Sequence, residues 1–184
     1  MTFEPKPGRL VNADRVLFEP MKTLFRFPRA PFAVTLVASL ALVAGAVFMT
    51  EAFHLAACPL CIIQRMLYLA LTLAAAGGLA LAPNAIGRRL GALLMVAAAG
   101  TGVFVAGYQS WIQRFAQDAG CSGRMTWWEE LVDWAGSKVP LLFQSDGICS
   151  DPGWIFLSLS LAEWSLVFFV AFFLLSVYAL LRNR

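Results

Sequence analysis

Four long runs of apolar residues, separated by short polar stretches, dominate the chain. Each run has about 20 residues, which is the length a helix needs to cross the hydrocarbon core of a bilayer. The second and third runs are rich in alanine and glycine, which allows membrane helices to pack closely. The pattern predicts an all-α membrane protein, a four-transmembrane-helix bundle, with spans at about residues 31–50, 62–82, 90–111 and 158–181.

Composition supports a membrane protein. Of the 184 residues, 60% are hydrophobic and 14% are charged, whereas a soluble domain averages about 45–50% apolar and 25% charged residues. The net charge of +3 is modest, and no basic cluster is interleaved with aromatic residues, so we expect no nucleic-acid partner. We divide the chain into a basic leader (1–30) and one transmembrane domain (31–184).

Lysine and arginine are distributed unequally about the four spans. Ten of the 14 fall on one side: six in the leader, two in the turn after the second span and two at the C-terminus. The four on the other side are Arg65, Arg114, Arg124 and Lys138. Because basic residues favour the cytoplasmic side, both termini are predicted to be cytoplasmic. The loops at about 51–61 and 112–157 are then outside.

The first span has an alternative interpretation as a cleaved signal. Leu55-Ala56-Ala57-Cys58 is similar to the processing site of bacterial lipoproteins. However, the leader is long, the apolar run is long enough to span, and Glu51 and His54 interrupt the approach to the cysteine. We therefore expect a retained span.

The first outer loop ends in Cys58-Pro59-Leu60-Cys61, and Arg65 follows one helical turn later. A CxxC pair is suited to thiol–disulfide exchange. Pro59 fits the first position of a helix, which makes Cys58 the N-cap, where unpaired N–H groups and the helix dipole favour a thiolate. Cys58, Cys61 and Arg65 share one helical face. The motif predicts redox chemistry at the membrane surface.

The second outer loop carries the other two cysteines, Cys121 and Cys149. All four cysteines are then on the oxidising side, where an even number is typical of disulfides and three pairings are open. Glycines near both cysteines, including Gly147, indicate mobility around the sulfurs.

The same loop contains a predicted short helix. Thr126 and Glu129 form a capping box, and Gly136 is the predicted end. One face of this helix carries three large apolar residues, Trp127, Leu131 and Trp134. The helix is expected to lie in the membrane interface, with packing on top of the bundle as the alternative.

These features together resemble the disulfide bond formation protein B (DsbB) family of bacterial inner membranes. The resemblance covers about residues 31–181. It rests on the four spans, on the Cys58-x-x-Cys61-x-x-x-Arg65 pattern and on the pair of outer cysteines. The approach to the last span is also similar, with Gly147-Ile148-Cys149 followed by Trp154, Phe156-Leu157 and Glu163-Trp164.

The resemblance implies a role for each cysteine. Cys121 is attacked by a reduced periplasmic DsbA-like thiol oxidase of thioredoxin fold. Cys149 is its loop partner and exchanges with Cys58. Cys61 passes the electrons to ubiquinone or menaquinone from the membrane quinone pool, and Arg65 lies beside that quinone. No metal is expected.

One departure from the family pattern stands near the outer end of the third span. Relatives are expected to carry a histidine there, where this chain has Tyr108-Gln109-Ser110. The only histidine of the chain is His54, which is either a solvated loop residue or a group that tunes Cys58 or the quinone. If a basic group at this position assists the quinone in relatives, that assistance is missing or replaced in this chain.

Several alternatives stay open. The CxxC pair could belong to a zinc site, although Cys121 and Cys149 lack zinc-like spacing. The loop cysteines could form a static disulfide, and Arg65 could be only an interfacial anchor. The whole protein could be similar to vitamin K epoxide reductase, although in that family the CxxC lies in the last helix of the core. It could also be a non-enzymatic scaffold stabilised by disulfides.

Overall fold

The computed structural model describes residues 29–116 and 126–182. Residues 1–28 of the leader, Cys121 and the last two residues lie outside these ranges. Within them the chain forms four long helices, two short ones and a two-stranded hairpin. In chain order these are α1 Ala30–Phe53, α2 Pro59–Ala80, α3 Ala85–Phe115, α4 Trp127–Lys138, α5 Pro140–Phe143, β1 Ile155–Phe156, β2 Leu159–Ser160 and α6 Leu161–Arg182.

The prediction of four spans is confirmed. Helices α1, α2, α3 and α6 are each long and apolar enough to cross a membrane. The shortest of them has 22 residues, which at ~1.5 Å per residue covers a hydrocarbon core about 30 Å thick. The chain is therefore a multi-pass membrane protein.

Helix α1 runs on to Phe53 and α2 begins at Pro59, beyond the predicted 31–50 and 62–82, and α3 and α6 differ from the prediction for identifiable reasons. Helix α3 extends beyond residues 90–111 at both ends, because no breaker stands between Asn84 and Ala116. Helix α6 begins at Leu161 instead of 158 because the preceding residues form the β1–β2 hairpin. Leu157 and Ser158 make its turn with φ of 52° and 65°. Such turns usually contain Asn or Gly, so the residues of this turn carry no hairpin signal.

Helix α4 begins as predicted, with the Thr126–Glu129 capping box in place. The predicted end at Gly136 is wrong, because the helix continues to Lys138. Gly136 instead allows α5 to pack closely against α4. A Cβ atom there would lie 2.9 Å from the carbonyl oxygen of Phe143 in α5. One face of α4 packs Val132 against Ile62 of α2. The opposite face, with Trp127, Leu131 and Trp134, is exposed.

Helix α3 packs between α2 and α6, and α1 packs on α2 while touching α6 only lightly. The close packing predicted from small residues is confirmed: a Cβ on Gly91 would lie 2.8 Å from the Cα of Gly78. Polar pairs also link neighbouring helices, as expected inside a bilayer. These pairs are Ser39–Thr72 (2.8 Å), Gln64–Gln109 (2.7 Å) and Tyr68–Ser165 (2.8 Å).

Candidate functional site

Backbone hydrogen bonds hold the second outer loop against the first. The N–H groups of Asp146 and Gly147 both donate to the carbonyl oxygen of Ala57, each at 3.0 Å. A Cβ on Gly147 would overlap the carbonyl oxygen of Ala56. Gly147 therefore permits a close approach between the two loops, and the mobility predicted around the sulfurs stays a prediction. The contact brings Cys149, two residues later, beside Cys58.

The start of α2 holds the CxxC pair. Cys58 is the N-cap, with extended backbone (φ −84°, ψ 161°), and Pro59 takes the first helical turn, as predicted. The backbone N–H of Cys61 donates to the Cys58 sulfur at 3.3 Å. The two sulfurs lie 3.0 Å apart as free thiols, and Cys58 is buried. The start of the helix thus brings the two sulfurs into contact.

The sulfur of Cys149 completes a three-cysteine cluster. A hydrogen bond from the Cys58 thiol lowers the pKa of Cys149, and the backbone N–H of Leu60 acts in the same direction against the effect of burial. The pKa of Cys58 is raised, first by its hydrogen bonds to Cys149 and Cys61 and then by burial. The prediction that the N-cap position favours a Cys58 thiolate is therefore wrong for this reduced arrangement. In this reduced arrangement the Cys149 thiol is therefore more acidic than the Cys58 thiol.

An amide from α3 faces the same sulfurs. The Nε2 of Gln109 donates to the sulfurs of Cys58 and Cys61, at 3.2 Å each. Its carbonyl oxygen accepts a hydrogen bond from Gln64 of α2 at 2.7 Å, and both glutamines are buried. The position that the sequence marked as a departure is thus in direct contact with the CxxC pair.

Arg65 is held inside the bundle. Its guanidinium donates to the carbonyl oxygens of Leu142 (3.2 Å) and Ala46 (3.1 Å), and to the hydroxyl of Thr50. Its exposed fraction is only 7%. The alternative of an interfacial anchor, which needs an outward-reaching side chain, does not fit this position. Arg65 lies within electrostatic reach of Cys58 and Cys61.

A cavity of about 690 Å³ opens beside these groups, with walls from α1, α2, α3, α6 and the second outer loop. Cys58, Cys61, Arg65 and Gln109 form its polar wall, and most of the remaining surface is apolar. Its size lies in the range of small-molecule sites, about 300–1,000 Å³. The arrangement joins a thiol pair, a cation and a lipophilic cavity.

The remaining expected residues are placed as follows. Cys121 lies outside the described residues, so its pairing with Cys149 and the alternative of a static loop disulfide stay predictions. His54 is the exposed C-cap of α1, with φ of 51°, and it borders the cavity. Within residues 29–116 and 126–182, no group of three or more His, Cys, Asp or Glu side chains is arranged to hold a metal.

Comparison with known proteins identifies the family. The family model for disulfide bond formation protein DsbB matches residues 28–179. The chain belongs to this family. Two similar proteins named disulfide bond formation protein B come from Dechloromonas aromatica and Nitrosospira multiformis. The first is 37% identical over 161 residues, covering 84% of this chain and 93% of the relative. The second is 36% identical over 142 residues, covering 76% and 83%.

A protein named disulfide bond formation protein B 1 from Pseudomonas aeruginosa is 29% identical over 158 residues, which is 85% of this chain and 96% of that protein. Membership of the DsbB family makes this chain a membrane oxidoreductase of disulfide bond formation. The similarity to vitamin K epoxide reductase loses its support, because the CxxC pair opens the second of the four described spans.

Sequence reasoning missed three partners of the site: Gln64, Thr50 and the carbonyl of Leu142. A signal existed for Gln64, because polar residues inside a membrane span are expensive and usually functional. No local pattern could have indicated Thr50 or Leu142, since each meets Arg65 only through helix packing.

Proposed function

We propose that this DsbB-family protein reoxidises a periplasmic DsbA-like thiol oxidase and passes the electrons to a membrane quinone, ubiquinone or menaquinone. The observation that carries the proposal is the cavity, whose wall contains both sulfurs of the CxxC pair and the Arg65 guanidinium. A scaffold stabilised by disulfides would need no such cavity beside free, hydrogen-bonded thiols.

The residues of the cavity fit a quinone. Arg65 would hold a carbonyl end of the ring, because a guanidinium is a strong donor to oxygen and keeps its charge when partly buried. Tyr68 and Phe168 offer flat aromatic walls, and the apolar surface suits an isoprenoid tail. When bound, the quinone supplies a two-electron acceptor. Both sulfurs of the pair lie on the same wall, and Cys61 is assigned the transfer to the acceptor because it receives the electron pair when the Cys58–Cys61 bond breaks.

The cysteines act in a defined order. Attack of a partner thiolate on Cys121 of a Cys121–Cys149 disulfide forms a mixed disulfide and leaves the electron pair on Cys149. The backbone N–H of Leu60, which lowers the pKa of Cys149, would stabilise this leaving thiolate. The Cys149 thiolate then attacks Cys58 of a Cys58–Cys61 disulfide, to which it is adjacent. The Cys149–Cys58 bond forms, the Cys58–Cys61 bond breaks, and Cys61 takes the electron pair.

The proposed orientation has both termini in the cytoplasm and the cysteine loops in the periplasm. It is supported by the ten basic residues on one side of the spans against four on the other. The start of α2 and the docked second loop lie at the same end of the bundle. A bacterial inner membrane provides both an oxidising periplasm and a quinone pool at this end.

Quinone reduction by the reconstituted full chain tests the proposal, with a reduced DsbA-like protein or dithiothreitol as electron donor. Cys121→Ser should lose oxidation of the protein partner while keeping quinone reduction from dithiothreitol. Cys61→Ser should lose both, and Thr101→Ala, on the exposed side of α3, serves as the control. Absence of quinone reduction by the unaltered chain, or its survival in Cys61→Ser, would overturn the proposal.

A further inference from the structure

Two neutral amides occupy the contact between α2 and α3 at the level of the CxxC sulfurs. Gln64 has an exposed fraction of 5% and Gln109 of 1%. Because the Gln109 carbonyl accepts from Gln64, its NH₂ group is directed at the sulfurs, and its two hydrogens serve Cys58 and Cys61. A buried amide in a membrane bundle is costly unless it is paired, and this one is paired with the two sulfurs.

We propose that Gln109 is a catalytic residue of the disulfide exchange, stabilising the negative charge that forms on Cys61, and that Gln64 is the positioning residue that orients it. The inference rests on the proposed function in one respect, namely that Cys58 and Cys61 are the redox pair. Whether the final acceptor is a quinone does not affect it.

The charge to be stabilised arises when the Cys58–Cys61 bond is cleaved. An attacking thiolate, from Cys149 or from an added thiol, forms a new S–S bond to Cys58. The electron pair of the broken bond goes to the Cys61 sulfur, which becomes a thiolate without taking up a proton. An N–H group already directed at that sulfur stabilises the charge as it develops and needs no reorganisation.

An amide differs from an ionisable group in a way that matters at this position. It has no proton to lose in the accessible pH range, so both hydrogens remain available to the sulfurs throughout the cycle. Arg65 contributes long-range charge from the cavity side, whereas Gln109 makes direct contact from α3. The two groups act on the pair from different helices.

The opposing explanation is that the glutamine pair only holds α2 to α3. Interhelical hydrogen bonds in membranes do contribute to stability. The two explanations differ in one measurable quantity. A purely structural pair changes unfolding without changing the equilibrium between the Cys58–Cys61 disulfide and the dithiol. A catalytic amide stabilises the reduced form and therefore makes the pair more oxidising.

The experiment is a redox titration of the full chain in glutathione buffers at pH 8, after extraction of quinone. Cys121→Ser and Cys149→Ser in the background leave one thiol pair, which is scored by maleimide mass tagging. Gln109→Met should lower the equilibrium constant for reduction by about tenfold, because hydrogen bonds to charged atoms are among the stronger ones. Tenfold corresponds to ~30 mV for this two-electron couple. Gln109→Glu, which sets a carboxylate against the sulfurs, should lower it further.

Gln113→Met is the matched control, because Gln113 is another buried glutamine of α3 but binds Asp151 and Ser160 instead of the sulfurs. Gln113→Met should leave the equilibrium constant for reduction within twofold of the value for the background protein. Gln64→Met should give a smaller shift than Gln109→Met and no added shift in the double variant, since it acts through Gln109. If Gln109→Met does not fold, Gln109→Asn keeps the amide but shortens it, and should still lower the constant.

An unchanged equilibrium constant in a folded Gln109→Met protein would overturn the catalytic role while leaving the proposed function intact. Fully additive shifts from Gln64→Met and Gln109→Met would overturn the positioning role of Gln64. Failure of the unaltered Cys58–Cys61 pair to oxidise and reduce reversibly would instead refute the proposed function itself, and the inference with it.

Discussion

The two sides of helix α2 are built in opposite ways. On one side, α3 packs tightly between α2 and α6, because small residues allow the backbones to meet. We call this contact the closed seam and define it by Gly78, Gly91, Gly102 and Phe169. On the other side, α1 barely touches α6 and the cavity lies between them; this region, defined by Gly45, Met49, Ser165 and Phe168, is the open seam.

Consecutive residues of α2 serve the two seams. Gln64 faces α3 in the closed seam, and Arg65, rotated by ~100° on the helix, faces α1 in the open seam. The closed seam thus fixes the groups that touch the sulfurs, and the open seam leaves room for a ligand beside them. Gln64 and Gln109 also border the cavity, so the two seams meet at the sulfurs, whereas the helix packing around Gly91 and the ligand space around Gly45 can be altered separately.

The largest expected effect comes from removing Arg65 from the open seam. Arg65→Ala should raise the apparent KM for quinone by about tenfold to a hundredfold, since charge-assisted hydrogen bonds contribute about 1.5–3 kcal/mol. Steady-state quinone reduction measures it. Arg65→Lys is the control, because it keeps the charge but cannot bridge Leu142, Ala46 and Thr50. Its apparent KM for quinone should lie between the values of the unaltered chain and of Arg65→Ala. An unchanged KM in Arg65→Ala would show that the open seam does not bind quinone.

Adding one methyl group should lower the free energy of unfolding in the closed seam but not in the open seam. Gly91→Ala places a Cβ 2.8 Å from the Cα of Gly78 in the closed seam, where backbone cannot yield cheaply. The expected loss in free energy of unfolding is about 1–2 kcal/mol. Gly45→Ala is the control, because nothing lies within 4 Å of a Cβ in the open seam. Denaturant titration in mixed micelles compares the two, and equal losses would contradict the distinction.

Much of this organisation could be predicted from the sequence because its signals are local. A continuous apolar run defines each span without knowledge of its neighbours, and Cys58-Pro59 defines a helix start through the geometry of proline and the N-cap. The Thr126–Glu129 capping box is equally local. Helix ends at Phe115 and Lys138 were less predictable, since a glycine or a polar residue can stay helical when packing favours it.

The rest depended on docking between distant segments. Flexibility is all that the sequence indicates for Gly147, whereas the folded chain uses its missing side chain to pack the second loop on Ala56. Gln109 looked like a missing histidine until its amide was placed beside two sulfurs. The preference of Cys58 for its proton likewise arises from Cys149, which is 91 positions away in the chain (149 − 58).

The docking of the second loop beside Cys58 should be detectable through the acidity of Cys149. In the reduced Cys121→Ser protein, the lowered pKa of Cys149 means that its thiolate persists to lower pH than that of an ordinary thiol. Its alkylation by iodoacetamide should therefore reach half its maximal rate at a lower pH than for a peptide cysteine. Cys58→Ala removes the hydrogen bond that is the main cause and should move the midpoint upward. A midpoint that does not move would show that the loop is undocked in solution.

The smallest expected effect concerns the contact of α1 with α2, which forms the back of the open seam. Ser39 is fully buried, and its hydroxyl meets that of Thr72 at 2.8 Å and the carbonyl oxygen of Thr35 at 2.7 Å. Ser39→Ala should lower the free energy of unfolding by only about 0.6 kcal/mol, the average for hydrogen bonds between membrane helices. Thr101→Val, which removes an exposed hydroxyl bonded within α3, is the control and should change nothing measurable. A loss above about 2 kcal/mol would contradict this expectation and mean that the Ser39 hydroxyl fixes α1 on α2 more firmly than an average hydrogen bond between membrane helices does.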